Sequence, residues 1–186
     1  MKRCFDFMAA LCALLMLALP FVLIAIFVSV TSRGPVLYWS DRVGRRNRIF
    51  KMPKFRSMRV NTPAVATHLL ANPDVYLTPI GSFLRRTSLD ELPQLWSILV
   101  GDMSFVGPRP ALFNQEDLIE LRTRYGVDAL VPGLTGWAQV NGRDELSIAE
   151  KVKLDSEYLE RLSFSFDLQI LWRTFLKVVR SEGVVH

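Results

Sequence analysis

The hydrophobic pattern divides the chain into an apolar N-terminal run and a longer region of mixed polarity. No charged residue occurs between Phe7 and Ser32, and residues 11–28 are almost entirely aliphatic or aromatic. A run of this length reaches the roughly 20 residues that a membrane-spanning helix needs. Pro20 lies near its middle, where the ring and the missing amide proton disfavour a continuous helix. The pattern therefore predicts a membrane helix within residues 1–32 that is broken at Pro20.

Two topologies fit this anchor: a single span kinked at Pro20, and a re-entrant helix that enters and leaves the membrane on one face. A cleaved signal peptide fits less well, because Asp6 interrupts its start and the apolar run is too long. Lys2 and Arg3 precede the run and a basic segment follows it. Positive flanks tend to stay in the cytoplasm, and only a re-entrant helix keeps both flanks there, so we favour it. Both topologies place residues 33–186 in the cytoplasm.

Short strands and amphipathic helices are predicted for the rest of the chain. Residues 36–39 and 49–52 read as two strands joined by a polar turn, and Pro53 either ends the second strand or confines it to a sheet edge. Apolar and charged patterning predicts a helix at 92–100, closed by Gly101, and further helices at 116–125, 147–162 and 166–180. Strands are few and do not alternate with helices. The pattern predicts an α+β fold, mostly helical with a short β-hairpin, and not a Rossmann sheet.

The last predicted helix has an apolar side and a basic stripe formed by Arg173, Lys177 and Arg180. Such a helix can lie at a membrane surface, with its apolar face in the headgroup boundary. The same pattern is equally typical of a helix docked on the core of its own domain. The first interpretation predicts interfacial amphipathic helices in the cytoplasmic domain.

Charge is distributed unevenly along the chain. Nine lysines and arginines but a single acid fall between Arg33 and Arg59, whereas acids outnumber basic residues from Val60 onwards. A basic segment beside a membrane anchor is attracted to anionic lipids, so these lipids are expected partners and nucleic acid is not. The two cysteines, Cys4 and Cys12, lie in or beside the apolar run and exclude a disulfide framework.

Several common catalytic motifs are absent from the sequence, among them the G-x-S-x-G elbow, the P-loop and the G-x-G-x-x-G loop. The two histidines, His68 and His186, have no partners at metal-ligand spacing. Histidine metal sites and Ser-His triads are therefore disfavoured. Carboxylate, arginine and lysine chemistry remains.

Asp90 and Glu91 lie side by side shortly after Arg85 and Arg86. One interpretation is structural, because Ser88 and Glu91 have the spacing of a capping box at the start of a helix. The other is catalytic: the start of a helix favours bound phosphate, and two carboxylates beside phosphate oxygens suit Mg²⁺. Adjacent helical residues point about 100° apart, so we expect the two acids to have different roles.

A set of basic residues is expected to face the same phosphate. Pro108 and Pro110 stiffen the backbone around Arg109, and a guanidinium fixed in this way suits bidentate binding of phosphate. Lys54 and Arg56 follow the second predicted strand and are candidates for the same contact. The acids and the basic residues together indicate chemistry on phosphates.

Four segments carry a resemblance to a known family. Residues 54–58, 88–94, 101–110 and 132–143 resemble, in sequence and in order, the motifs of the bacterial sugar transferases. More narrowly, the chain looks like the small monotopic phosphoglycosyl transferases. The resemblance implies transfer of a sugar-1-phosphate from a UDP-sugar to undecaprenyl phosphate at the cytoplasmic face of the bacterial inner membrane, with release of UMP. It implies the first membrane step of glycoconjugate synthesis.

The resemblance also implies roles for individual residues. Asp90 would attack the sugar-bearing phosphate and form a covalent phospho-sugar intermediate. Glu91 would hold Mg²⁺ together with Asp90 and would assist deprotonation of the lipid phosphate. Positions that would contact phosphates, or lie in or near the site, are Lys54, Arg56, Arg85, Arg109, Asn141, Arg143 and Asp155. The family's N-terminal helix is re-entrant and broken at a proline, which Pro20 matches.

Two other classes of function remain as alternatives. A membrane-anchored scaffold would use the basic segment to bind anionic lipid, and Asp90 and Glu91 would then belong to a helix cap. A Mg²⁺-dependent phosphohydrolase would act on the same nucleotide sugars without a lipid acceptor. The sequence does not indicate which sugar is carried, and it leaves the oligomeric state open, a homodimer included.

Overall fold

The computed structural model describes residues 1–63, 72–142 and 146–180. Its helices are α1 (Lys2–Met16), α2 (Ala18–Thr31), α3 (Gly81–Arg86), α4 (Gln94–Val100), α5 (Glu116–Arg124), α6 (Trp137–Val140), α7 (Ile148–Glu160) and α8 (Phe164–Arg180). Its strands are β1 (Leu37–Val43), β2 (Ile49–Phe55), β3 (Ser104–Val106) and β4 (Gly133–Thr135). Short 3-10 turns occupy Arg45–Asn47, Pro73–Tyr76, Leu89–Glu91 and Val127–Ala129. The candidate site residue Arg143 and the two histidines, His68 and His186, lie outside the described residues.

The apolar N-terminal run forms two helices with a sharp bend between them. α1 and α2 meet at Leu17 with a bend of 64°, so the break lies three residues before the predicted position at Pro20. Pro20 is in the first turn of α2, where backbone amides have no helical partner. In a continuous helix its ring would clash with the carbonyl of Met16, which explains the break on that side. Neither helix alone is long and apolar enough to cross a membrane, whereas the bent pair has the length and composition to do so.

Polar contacts tie the start of α1 to the rest of the chain. Lys2 Nζ lies 2.5 Å from Asp167 Oδ2 in α8, and Arg3 donates to two carbonyls in the last turn of α4. Asp6 is buried and accepts from Ser104 Oγ at 2.9 Å. The basic N-terminus, whose charge favours a re-entrant topology, therefore also makes intramolecular contacts.

The predicted hairpin is present and longer than expected. β1 and β2 pair antiparallel, with Leu37 opposite Phe55. Pro53 does not end β2 but lies within it, opposite Trp39. Among the described residues this sheet has two strands, so each is an edge strand, and a residue without an amide proton is tolerated there.

The four predicted helices correspond to α4, α5, α7 and α8, with ends that agree within two residues. α4 ends at Gly101, whose φ of 98° is left-handed, as the glycine after the apolar segment predicts. Ser147 and Glu150 form a capping box at the start of α7. The mixture of helices and small sheets agrees with the predicted α+β class.

The two interpretations of the last helix apply to different sides of α8. Phe166 and Ile170 are buried in a core cluster with Trp137. Trp172 and Phe175 are exposed at 61% and 57%, and their rings stack at 5.8 Å. α8 is therefore docked on the domain and still presents an apolar surface.

A short parallel pair of strands leads into the loop that carries Arg109. β3 and β4 pair in parallel, with Ser104 opposite Gly133. The backbones approach so closely that a Cβ on Gly133 would lie 2.1 Å from the Gly107 nitrogen. Gly133 also donates to the carbonyl of Pro108 at 2.9 Å. The strand pair thus fixes where the loop after β3 begins.

Candidate active site

Three predicted residues meet where β2, the turn Leu89–Glu91 and the loop after β3 come together. Lys54 Nζ lies 2.8 Å from Glu91 Oε1, and Arg109 Nη2 lies 2.9 Å from the same oxygen. The Lys54 and Glu91 side chains are 16% and 14% exposed. The fold therefore unites charges that are 37 and 18 positions apart in the chain.

The predicted capping box at Ser88 is not formed. Ser88 is left-handed with a φ of 55°, and its side chain makes no capping contact. Glu91 ends a 3-10 turn, and its carboxylate binds Lys54 and Arg109 instead of a backbone amide. Two cations form stronger hydrogen bonds with a carboxylate than a neutral amide does. Because α4 begins only after Pro93, the two acids precede that helix and are not part of its first turn.

Asp90 is almost completely buried, with 7% of its surface exposed. Burial raises the pKa of its carboxyl above the ordinary value, and the charge of Glu91 acts in the same direction. The cations Lys54, Arg85 and Arg109 oppose this rise. A poorly solvated carboxylate close to several cations is an environment typical of a functional site.

Glu91 has the opposite shift. Burial alone would raise its pKa, but Lys54 and Arg109 outweigh that effect and hold the pKa of Glu91 well below its usual range. Glu91 is therefore ionised throughout the neutral range. Neighbouring carboxyls whose pKa values are driven apart can take different roles in one reaction, and different roles for Asp90 and Glu91 stay a prediction.

Two arginines outside the predicted site hold the backbone of the Arg109 loop. Arg122 Nη1 donates to the carbonyl of Arg109 at 2.8 Å, and Arg42 Nη1 donates to the carbonyl of Pro110 at 3.2 Å. Asp155 accepts from Nε and Nη2 of Arg122 at 3.0 and 2.7 Å. Burial, together with the charge of Arg109, lowers the pKa of Arg42 to about 10. Asp155 thus contacts Arg122, which in turn contacts the backbone of the Arg109 loop.

The sequence contained a signal for the pair formed by Arg122 and Asp155. Val152, Asp155 and Tyr158 are three residues apart and all are buried on one side of α7. An acid within the apolar face of a predicted amphipathic helix indicates a buried partner, because an unpaired buried carboxylate is costly. The identity of that partner, Arg122, depends on the packing of α5 against α7.

A family model described as bacterial sugar transferase matches residues 1–181. The chain belongs to this family.

Relatives of this bacterial sugar transferase share similar levels of identity with it. The UDP-galactose-lipid carrier transferase of Erwinia amylovora is 39% identical over 98% of this chain and 41% of that protein. The UDP-glucose:undecaprenyl-phosphate glucose-1-phosphate transferase of Escherichia coli K12 is 42% identical over 95% of this chain and 40% of that protein. The exopolysaccharide production protein ExoY of Rhizobium meliloti is 40% identical over 98% of this chain and 87% of that protein. The chain spans about two fifths of the first two relatives and most of the third.

Other predicted residues of the sugar transferase have different partners in the structure. Arg56 is buried, and its Nη2 donates to the carbonyl and to Oγ of Ser32, each at 2.7 Å. It therefore caps the end of α2. Asn141 donates to the carbonyl of Trp137 at 2.7 Å. Phosphate binding by Arg56, Asn141 and Arg143 stays a prediction.

The carboxylates of the site fit Mg²⁺ only in the company of a substrate. Within residues 1–63, 72–142 and 146–180, no group of three or more His, Cys, Asp or Glu side chains is placed to hold a metal ion. Asp90 and Glu91 are a pair of carboxylates, and Mg²⁺ commonly takes one or two of these with phosphate oxygens and water. Asp90 and Glu91 fit an ion that binds with a phosphate ligand.

Proposed function

We propose that this bacterial sugar transferase moves a sugar-1-phosphate from a UDP-sugar to undecaprenyl phosphate, forming undecaprenyl-diphosphate-sugar and UMP. The observation that carries the proposal is the buried carboxylate of Asp90 beside Lys54, Arg85 and Arg109. A carboxylate among cations suits attack on a phosphate, whose own negative charge would otherwise repel it. The name of the Escherichia coli relative gives the same class of donor and acceptor.

The proposed reaction consists of two displacements at one phosphorus atom. A carboxylate oxygen of Asp90 attacks the sugar-bearing phosphorus, and the bond from that phosphorus to the bridging oxygen breaks and releases UMP. A phosphate oxygen of undecaprenyl phosphate then attacks the phospho-sugar on Asp90. The bond to the carboxylate breaks, the diphosphate forms and Asp90 is regenerated. A covalent intermediate divides one difficult transfer into two easier ones.

The cations are in place before any substrate binds. Lys54 and Arg109 are both bonded to Glu91 Oε1, so the site does not need to orient them during the reaction. Asp90 and Glu91 are the residues proposed to hold Mg²⁺, which when bound offsets the phosphate charge. The lowered pKa of Glu91 makes it a weak proton acceptor. We therefore assign Glu91 the orientation of the cations and a share of the metal site, and not deprotonation of the lipid phosphate.

The proposed location is the cytoplasmic face of the bacterial inner membrane, with α1 and α2 as a re-entrant pair. α2 exposes large apolar side chains such as Phe27 at 54%, and α8 exposes Trp172 and Phe175. Exposed apolar side chains on amphipathic or apolar helices suit contact with lipid. α2 also packs on Phe55 of β2, the strand that carries Lys54. A lipid phosphate beside α2 would therefore arrive close to the cations.

Release of UMP by the purified protein in detergent or nanodiscs tests the proposal. We expect release from at least one member of a UDP-sugar panel, and we expect repeated turnover to need both Mg²⁺ and undecaprenyl phosphate. Asp90→Asn should abolish turnover and leave membrane association intact. Asp74→Asn, which changes an exposed acid in the turn Pro73–Tyr76, is the matched control and should keep wild-type turnover.

Three outcomes would contradict this function. Full turnover by Asp90→Asn would exclude Asp90 as the nucleophile. Repeated turnover of UMP release without the lipid would indicate a phosphohydrolase, because the proposed mechanism releases only one UMP per enzyme molecule until the lipid phosphate clears Asp90. Salt-sensitive binding to anionic vesicles without turnover of any nucleotide sugar would indicate a scaffold. With a productive UDP-sugar and no acceptor, peptide mapping should find a phospho-sugar on Asp90.

A further inference from the structure

Arg122 lies behind the loop that presents Arg109 and bonds to the backbone of that loop. We propose that Arg122 is a positioning residue: it sets the place of the Arg109 guanidinium by holding the Arg109 carbonyl, and Asp155 in turn holds Arg122. The inference rests on the proposed transfer reaction, in which Arg109 faces phosphate. It assigns both Arg122 and Asp155 a role without contact with substrate.

The guanidinium of Arg122 is fixed at three of its nitrogens. Nε and Nη2 donate to Asp155 Oδ2 at 3.0 and 2.7 Å, and Nη1 donates to the Arg109 carbonyl at 2.8 Å. The Arg122 and Asp155 side chains are only 12% and 2% exposed. Because a guanidinium is planar and rigid, holding two nitrogens on Asp155 also sets the direction of Nη1. α5 and α7 therefore define one position for the backbone of Arg109.

The loop has little freedom to absorb a displacement. Arg109 stands between Pro108 and Pro110, whose rings fix their φ angles. Arg42 holds the carbonyl of Pro110 at 3.2 Å, so two successive carbonyls are bonded to arginines. The Arg109 side chain ends on Glu91 at 2.9 Å. A shift of the Arg109 carbonyl is therefore passed on to its guanidinium.

The influence of Arg122 on the site is geometric. Its charge is balanced by Asp155 at 2.7 Å, and the charges that lower the pKa of Glu91 are those of Lys54 and Arg109. A buried ion pair is by itself weak evidence for a contribution to stability. If Arg122 served only to pack α5 on α7, the ion pair with Asp155 would be sufficient. The bond from Arg122 to the Arg109 carbonyl is the contact that supports a positioning role.

Arg122→Lys tests this role because it keeps the positive charge and removes the planar guanidinium with its several donors. A single ammonium on a flexible stem cannot keep both the Asp155 contacts and the Arg109 contact in their present geometry. We expect kcat to fall by about 10- to 100-fold, as a misplacement of about 1 Å does. The KM for the UDP-sugar should stay within about threefold, because the loss falls mainly on the transition state. Asp155→Asn should give the same split through the loss of the Arg122 anchor.

Control variants separate positioning from stability. Ile170 is fully buried in α8 and belongs to a core cluster that includes neither Arg109 nor Arg122. Ile170→Val and Ile170→Ala should give a small and a large loss of stability. At temperatures well below their unfolding midpoints, both variants should keep wild-type kcat. Wild-type kcat in folded Arg122→Lys would overturn the inference. The inference would also be overturned if a given fall in the unfolding midpoint came with the same fall in kcat in the Ile170 variants and in the Arg122 variants.

Double-mutant cycles identify the residue through which Arg122 acts. In the Arg109→Lys background, Arg122→Lys should lower kcat little further, and a full additional fall would overturn the inference. A second cycle uses the unfolding midpoint and needs no turnover. Shifts for Arg122→Lys and Glu91→Gln should sum to more than the shift of the double variant, because each weakens the same Arg109–Glu91 bond. Additive shifts would overturn the inference, whereas a wild-type protein without turnover would overturn the proposed function alone.

Discussion

Glu91→Gln and Asp90→Asn each remove one negative charge from adjacent positions, and the structure predicts opposite effects on the free energy of unfolding. Glu91 is bonded to Lys54 and Arg109 through one oxygen. Loss of its charge weakens the contacts of two partly buried cations. Asp90 is buried and its pKa is raised chiefly by that burial, so asparagine removes a charge whose burial is unfavourable. Glu91→Gln should destabilise the protein, and Asp90→Asn should not.

The magnitude for Glu91→Gln follows from its contacts. A hydrogen bond to a charged group contributes about 1.5–3 kcal/mol. Glutamine keeps an oxygen acceptor, so only the part that depends on charge is lost. Solvent screens the Arg109 contribution, because that side chain is 34% exposed. We expect a loss of about 2 kcal/mol, which lowers the unfolding midpoint by about 4–8 °C in a chain of this length.

The two effects also differ in their pH dependence. The pKa of Glu91 is lower in the folded protein than in the unfolded chain, so its stabilisation is present above the unfolded value and is lost as the pH falls through the folded pKa. The pKa of Asp90 is higher in the folded protein, so its ionisation costs stability as the pH rises through that pKa. A gain from Asp90→Asn is therefore expected at neutral pH and should shrink as the pH falls towards the ordinary value of an aspartate.

Thermal unfolding in detergent, followed by tryptophan fluorescence, measures both effects, and the four tryptophans supply the signal. All variants should be heated at one rate, because a rate-dependent midpoint is meaningful only in comparison. Glu120→Gln is the control. That side chain is 76% exposed and paired with Arg124 along α5, so the shift should be about 1 °C. A Glu91→Gln midpoint at or above wild type, or an equal fall for both site variants, would refute the reasoning.

Three further predictions concern the same site and the membrane contact. Lys54→Ala removes a charge that lowers the pKa of Asp90, so the acid limb of the pH–rate profile for UMP release should move to higher pH in any activity that remains. If the anchor is re-entrant, an impermeant thiol reagent should label a variant with Cys4 as its single cysteine in inverted vesicles and not in intact spheroplasts. Pro20→Leu should favour a straight helix and so reduce this difference in labelling. Trp172→Ala should reduce binding to anionic vesicles without lowering the unfolding midpoint, because the side chain is 61% exposed; an unchanged vesicle affinity would remove α8 from the membrane contact.

The sequence by itself determined the elements whose signals are local. Apolar spacing and charge patterning predicted α5, α7 and α8 to within two residues, because helical periodicity depends on neighbours three and four positions away. Gly101 predicted the end of α4, and Pro20 predicted a break in the apolar run. The position of that break, Leu17, follows from the clash of a proline ring with the preceding turn.

Only the tertiary structure decided which charges meet. The sequence predicted a capping contact between Glu91 and Ser88, but Glu91 binds Lys54 and Arg109 instead. Arg56 appeared equivalent to Lys54 in the sequence, but in the structure its Nη2 bonds to Ser32 at the end of α2.

The support of Arg109 by Arg122 depends on a partner 33 positions away, Asp155. A charged side chain finds its partner through the packing of separate elements, and sequence patterns over a few residues carry no information about that packing. The sequence determined which residues could carry the chemistry, and the packing of β2, α5 and α7 around the loop after β3 decided how they are held.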